Sequence, residues 1–330
     1  MALSPPSPPS RSRRRPDINQ LRTLLCLAVL LLCAVPLLVY SKPQAASPQT
    51  LHTGNLNLTF TTIDVPGAGI TNIQSINSNG AMAGSFGADS FSPGSGFIYA
   101  NGSFTTFDYP SASSTLGWGI NDSGLVSGTA YLNNNTTAVG FLYDGVTFTT
   151  LSAPGKSATF GRGINNASTV VGAYGFSGVS LGFEMIGGNY KSIRPPGSYT
   201  EASANGINNF GQIAGTTDGT AFTNQSGSFR TISFPGASST QALGINDSGI
   251  IVGWYVLGSC VPCGFAYKNG KYLSFNVPGA VYTFGLGINN AGQIVGSYST
   301  DQQTYHGFVS SPISAASFDR VPPTQETETP

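Results

Sequence analysis

Six near-copies of one short unit, four strand signals in every copy, and a complementary pair of incomplete repeats at the two ends predict an all-β chain closed as a six-bladed β-propeller. The clearest copy is Gly285-Leu286-Gly287-Ile288-Asn289-Asn290-Ala291-Gly292-Gln293-Ile294-Val295-Gly296. Its Ile-Asn step recurs at Ile76-Asn77, Ile120-Asn121, Ile164-Asn165, Ile207-Asn208 and Ile245-Asn246, so successive asparagines are 44, 44, 43, 38 and 43 residues apart. A period that steady marks repeated supersecondary units.

In chain order, residues 1–23 form a basic, Pro/Ser-rich region that includes Arg11, Arg13, Arg14, Arg15 and Arg22. Residues 24–40 are an apolar run interrupted by Pro36. Basic flank and apolar run together predict export with the arginines on the cytoplasmic side, the run serving either as an uncleaved anchor or as a signal-peptide core. The rest is then outside the cytoplasm, membrane-anchored if the run is retained and secreted if it is cleaved. A polar linker, 41–57, follows.

From 58 to 312 each period carries the same four short β signals. The first ends in Gly-Ile-Asn and the second resembles Ile-Val-Gly. A third starts at Gly-Phe, as in Gly264-Phe265-Ala266-Tyr267, and the fourth runs into Pro-Gly-Ala, as at Pro278-Gly279-Ala280. Turn residues bound each run. Asn289-Asn290-Ala291-Gly292 supplies residues that tolerate left-handed backbone angles, and Lys268-Asn269-Gly270-Lys271 contains the Asn-Gly hairpin signal. The six phenylalanines of the third strands, Phe97, Phe141, Phe183, Phe222, Phe265 and Phe308, stay in register with the asparagines. Four antiparallel strands per period is the content of one propeller blade.

The ends argue for closure. Thr59 to Pro66 is a fourth-type strand with no blade before it, and Gly307 to Pro312 is a third-type strand with no fourth after it. Pairing them completes six blades and leaves no open edge. Residues 313–330, rich in Ser, Thr, Glu and Pro, are expected to be disordered.

Gly-Ile-Asn-Asn-x-Gly-x-Ile-Val-Gly, Gly-Phe-x-Tyr-x-x-Gly and Pro-Gly-Ala together resemble the bacterial extracellular repeats called the HAF family, over residues 57–312. That resemblance implies surface export and a propeller-like fold and carries no activity. Family members show His-Ala-Phe where this chain has Gly-Phe; only Tyr305-His306-Gly307-Phe308 keeps a histidine.

Composition narrows the function classes. Charged residues make up 8% of the chain, against about 25% in ordinary domains. Between Thr59 and Pro312 there are seven Lys and Arg against ten Asp and Glu, a net charge of −3, so no basic field for nucleic acid exists there. No nucleophile elbow, phosphate loop, cofactor fingerprint or metal box occurs. Asp89, Asp144, Asp218 and Asp301 are scattered and read as turn residues. The six asparagines read as caps of a repeated turn. Cys260-Val261-Pro262-Cys263 predicts a local disulfide in an oxidising compartment, with no further ligands at hand for a metal.

Divergent loops on a rigid scaffold are where binding resides, and the second-to-third-strand loops differ most among the copies. With the fourth-to-first connections they assemble a candidate ligand-binding set: Trp118, Tyr131, Arg162, Trp254, Tyr255, Tyr282, Tyr298 and His306. The expected function is a non-catalytic cell-surface binding module for a glycan or protein. The alternative is a hydrolase or lyase acting on extracellular glycans through carboxylates at the channel mouth.

Overall fold

The computed structural model describes residues 53–319 apart from 90–93, 134, 136, 177, 178, 198 and 226. The basic region and the apolar run at the amino terminus lie outside the described residues. The chain begins with β1 (Thr53–Asn55) and β2 (Phe60–Thr62), and then lays down blade one as β3 (Ile70–Ile76), β4 (Met82–Gly87), β5 (Ser95–Ala100) and β6 (Ser103–Phe107). Blades two to four repeat this order: β7 (Ser114–Ile120) to β10 (Phe148–Leu151), β11 (Ala158–Ile164) to β14 (Asn189–Ile193), and β15 (Ala202–Ile207) to β18 (Arg230–Ile232). Blade five comprises β19 (Ser239–Ile245), β20 (Ile251–Leu257), β21 (Cys260–Lys268) and β22 (Lys271–Phe275). Blade six has β23 (Tyr282–Ile288), β24 (Ile294–Ser299) and β25 (His306–Ser310), and takes its outermost strand from the start of the chain. There β2 pairs antiparallel with β25, Phe60 opposite Ser310 and Thr62 opposite Phe308. The protein is thus an all-β, six-bladed propeller of four-stranded antiparallel blades, closed by its amino-terminal strand.

Two segments depart from the sequence reading. Within the supposed linker 41–57, β1 runs parallel to β22 as a fifth strand on blade five, and the Leu56 N–H continues that ladder to Ser274 O at 2.9 Å. The start of the expected disordered tail is folded too. Ile313 and Phe318 are buried, Ala315–Phe318 forms a 3₁₀ turn, and both side chains join Phe275 and Phe308 in the core between blades five and six.

Close packing explains the recurring glycines. The six third-strand phenylalanines are fully buried between blades. Each lies under a second-strand glycine: a methyl placed on Gly172 would lie 1.9 Å from Phe160 O and 2.9 Å from the Phe183 ring. The glycine of Gly-Ile-Asn serves the central channel, where neighbouring inner strands meet backbone to backbone. A methyl on Gly119 would lie 2.6 Å from Arg162 O, and one on Gly206 2.7 Å from Leu243 O.

Candidate functional site

The channel is built from two features of every inner strand. A β-bulge interrupts each pairing with the second strand, for example between Gly117 and Gly119 and between Gly285 and Gly287. Such a bulge re-aims one side chain, and Gln74, Trp118, Asn205, Leu243 and Leu286 line a cavity of about 100 Å³. Arg162 holds the same place in blade three, yet it is buried against the Trp118 ring, its guanidinium carbon 4.6 Å from the ring centroid.

Below the bulges stands a ring of six buried asparagines. Each Oδ1 accepts the N–H four residues on, as Leu125 N–H to Asn121 at 3.0 Å and Gln293 N–H to Asn289 at 3.0 Å. Each Nδ2 donates to the main-chain carbonyl of the next asparagine around the ring: Asn77 to Asn121 at 2.9 Å, Asn121 to Asn165 at 3.2 Å, Asn165 to Asn208 at 3.1 Å, Asn208 to Asn246 at 3.0 Å and Asn246 to Asn289 at 3.1 Å. Asn289 closes the circle on Asn77 at 3.2 Å. One side chain therefore caps its own turn and ties its blade to the next.

The residues that follow those asparagines form a second belt at the channel mouth. Ser78 N–H donates to Asp122, Asp122 N–H to Asn166, Asn166 N–H to Asn209, Asn209 N–H to Asp247 and Asp247 N–H to Asn290, all at 2.8–2.9 Å. Asp122 and Asp247, in blades two and five, stand on opposite sides of the mouth. Their remaining oxygens also accept: Asp122 Oδ2 from Asn166 at 2.7 Å, and Asp247 Oδ2 from Asn209 at 2.8 Å and Asn290 at 2.7 Å. Partial burial pushes the Asp122 carboxyl up, but hydrogen bonds from Ser78 and Asn166 outweigh it and hold the group below the usual carboxylate range. These carboxylates are latches between blades.

Of the eight candidate residues, three cluster between blades two and three and five belong to blades five and six. Tyr131 is buried, 6.4 Å from the Phe160 ring, with its hydroxyl pushed up by burial and partly offset by the Arg162 charge. Trp118 lines the channel, and Arg162 is packed beneath it. Both belong to β7 and β11, whereas the sequence reading put them in fourth-to-first connections.

Trp254 and Tyr255 are likewise removed from any binding face. Second strands run at least two residues past their glycine in every blade, and in blade five the pairing continues to Leu257 opposite Cys260, so both residues, directly after Gly253, fall inside β20. Trp254 packs edge-on against Phe284 at 5.8 Å, and Tyr255 stacks on Phe234 at 3.6 Å and bonds Ser274 Oγ at 2.8 Å. Only 2% and 4% of their surfaces are exposed.

Tyr282, Tyr298 and His306 remain accessible. The Tyr298 hydroxyl bonds Thr62 Oγ1 at 2.9 Å, and its ring lies 5.2 Å from that of His306. His306 Nδ1 meets Asp64 Oδ2 at 2.7 Å, while Asp64 Oδ1 accepts the Gly307 N–H at 3.0 Å. This pair fastens the closing strand to blade six. Tyr282 stands apart from it, at the lip of a cleft between blades five and six, and donates its hydroxyl to Gln302 at 2.9 Å. Cys260 and Cys263 are joined as a disulfide on the opposite lip, with Cα atoms 5.3 Å apart.

Of the scattered carboxylates, Asp144 and Asp301 cap their own turns and Asp218 ties its turn to the connection before β15. Asp144 accepts the Val146 and Thr147 amides, Asp218 those of Thr200 and Glu201, and Asp301 those of Gln303 and Thr304. Amide bonds hold Asp144 below the usual range and take Asp301 down to about 2. Among the described residues no group of three or more His, Cys, Asp or Glu could hold a metal ion.

No protein family matches the sequence, and no curated protein does. Among solved structures, the fold is similar to a putative gluconolactonase at 14% identity, covering 81% of this chain and 97% of that one with a TM-score of 0.48. It is also similar to a gluconolactonase from Xanthomonas campestris (10% identity, 79% and 91% covered, TM-score 0.48). A third is a variant Aleuria aurantia lectin in complex with Fucα1-6GlcNAc (12% identity, 74% and 97% covered, TM-score 0.46). The likeness is one of fold.

The sequence missed the mouth belt. Its signal was the Asp or Asn that follows the recurring asparagine, in Asn121-Asp122, Asn165-Asn166, Asn208-Asn209, Asn246-Asp247 and Asn289-Asn290.

Proposed function

We propose that this chain is an exported, non-catalytic propeller of the HAF-repeat kind that binds a glycan or protein at the cell surface. Its ligand-contacting surface is the face of the second-to-third-strand loops and fourth-to-first connections. What supports this is the contrast between the two faces. On one, the first-to-second-strand turns are consumed by two belts of inter-blade hydrogen bonds that repeat from blade to blade. On the other, every loop differs, and Tyr199, Tyr282 and Gln302 offer polar and aromatic groups to solvent. Export is supported by the basic flank with its apolar run, and by a cysteine pair of the kind that oxidising compartments favour.

A glycan hydrolase needs one carboxyl that keeps its proton near neutral pH. Asp122 is held ionised instead, and both mouth carboxylates spend their oxygens on the belt. The deciding experiment is a glycan array probed with the full chain, alongside turnover assays on extracellular polysaccharides. Expected is retention of at least one glycan class without turnover, weakened by Tyr282→Ala or Tyr199→Ala at unchanged melting temperature. Turnover that survives those changes and disappears in Asp122→Asn or Asp247→Asn would replace the reading with a hydrolase or lyase.

A further inference from the structure

An open cleft between blades five and six on the loop face has a volume of about 530 Å³, within the roughly 300–1,000 Å³ usual for small-molecule sites. One wall is the tip of the β20–β21 hairpin, with Ser259, Val261 and the Cys260–Cys263 disulfide. The other is the connection from Asn276 to Tyr282, with Gln302 reaching over from blade six.

Both walls are fixed before any ligand arrives. The disulfide ties the hairpin tip. Opposite it, Gln302 has φ 67°, a left-handed angle uncommon for a residue with a side chain. It is held there because its N–H donates to Ser299 Oγ at 2.8 Å, while the neighbouring Asp301 takes the Gln303 and Thr304 amides, each at 2.8 Å. Left-handed angles at non-glycine residues recur in other turns of the chain, such as Asn101 and Asn269, so the angle records a fixed loop and the site rests on its lining. Gln302 is also the residue whose side chain accepts from Tyr282, which sets the phenol ring and leaves the Gln302 amide nitrogen as a donor.

The lining is chemically selective. None of its side chains is charged. Ser259, Asn276, Tyr282 and Gln302 supply hydroxyls and amides, while Val261 and Val281 present apolar surface at 44% and 45% exposure. An anionic ligand would find no cation there. A molecule with hydroxyls on its rim and a C–H face suited to a phenol ring and two valines matches the site.

We infer that this cleft is a subsite for a neutral saccharide, with Tyr282 as its platform, Gln302 and Asn276 as hydroxyl partners, and the disulfide-closed hairpin as a fixed wall. The inference rests on the binding-module reading above and names its site. Pre-organised walls reduce the ordering cost of binding, so opening the disulfide weakens binding by loosening one wall.

The test uses the full chain on an array carrying neutral, sialylated and sulfated oligosaccharides, followed by calorimetry with the best neutral one. Neutral glycans should be selected. Tyr282→Ala should cost about thirtyfold in affinity, as at a binding hot spot. Tyr282→Phe and Gln302→Ala should each cost roughly two- to tenfold, the worth of one hydrogen bond. Paired Cys260→Ser and Cys263→Ser changes should weaken binding at an unaltered glycan preference. Gln302 is exposed, so its variant decides the matter should Tyr282→Ala prove unstable in a thermal melt. Selection of anionic glycans alone would overturn the cleft assignment, as would wild-type affinity in Gln302→Ala and Tyr282→Phe together with loss in Tyr199→Ala; either leaves the binding-module reading standing. An array that retains nothing overturns the saccharide subsite and the glycan form of that reading together.

Discussion

Replacing Asn121 with alanine tests the asparagine ring most directly. The side chain is 3% exposed. It donates to Asn165 O at 3.2 Å and accepts the Ser123 and Leu125 amides at 3.1 and 3.0 Å. Alanine strands one carbonyl and two N–H groups in a part-buried turn. At about 1 kcal/mol for each lost bond, the cost is about 3 kcal/mol. For a domain of this size that corresponds to a fall in melting temperature of roughly 6–12 °C. Chemical denaturation gives the free energy, and paired variants test the ring itself. Asn165 holds its own carbonyl in place by capping its turn, so Asn121→Ala with Asn165→Ala should cost less than the sum of the two. Asn121→Ala with Asn246→Ala, on opposite blades, should be additive within about 0.5 kcal/mol. A single-variant loss below about 0.5 kcal/mol, the range of ordinary surface changes, would refute the ring as a stabilising device.

Two other outcomes follow from the packing. A chain starting at Gly67 lacks β1 and β2 and leaves β25 as an open edge, so chromatography should show self-association and a scan a lower melting temperature than for a chain starting at Lys42; one starting at Asn57 should lose stability and stay monomeric. Gly172→Ala should prevent soluble expression, because its methyl would lie 1.9 Å from a main-chain oxygen that cannot move independently; a soluble variant with wild-type stability would show that the blades have slack.

Much of the fold was legible because blades repeat. An identical turn needs identical asparagines, and a phenylalanine under a bare backbone needs the same glycine each time, so geometry was written six times over in letters. What was written once was harder to read. Thr53-Gly54-Asn55 pairs through its main chain and leaves no alternating pattern. Ile313 and Phe318 are isolated apolar residues whose burial depends on a surface formed far away in sequence. Trp254 and Tyr255 were misplaced because second strands run past their glycine in every blade, which turns expected loop aromatics into packing between blades. The reading of the asparagines as turn caps accounts for half of what they do; their bonds to the next blade run between residues 38 to 44 apart, or 212 at closure.

The strand β1 also fixes the order in which the molecule would meet mechanical load. Tension entering through the amino-terminal segment reaches Thr53 first, where three residues of parallel ladder and the Leu56 amide hold the chain to β22. Only when that short zip has opened does force pass to Phe60–Thr62, the strand that keeps the ring shut. By then Leu56 and Leu58, which pack into the core between blades five and six, would have to be drawn out as well. Residues 53–58 would thus act as a strain relief, as a cable is clamped ahead of its connector, so that a pull from the amino-terminal side is absorbed at the rim of blade five while the closure of blade six stays unloaded.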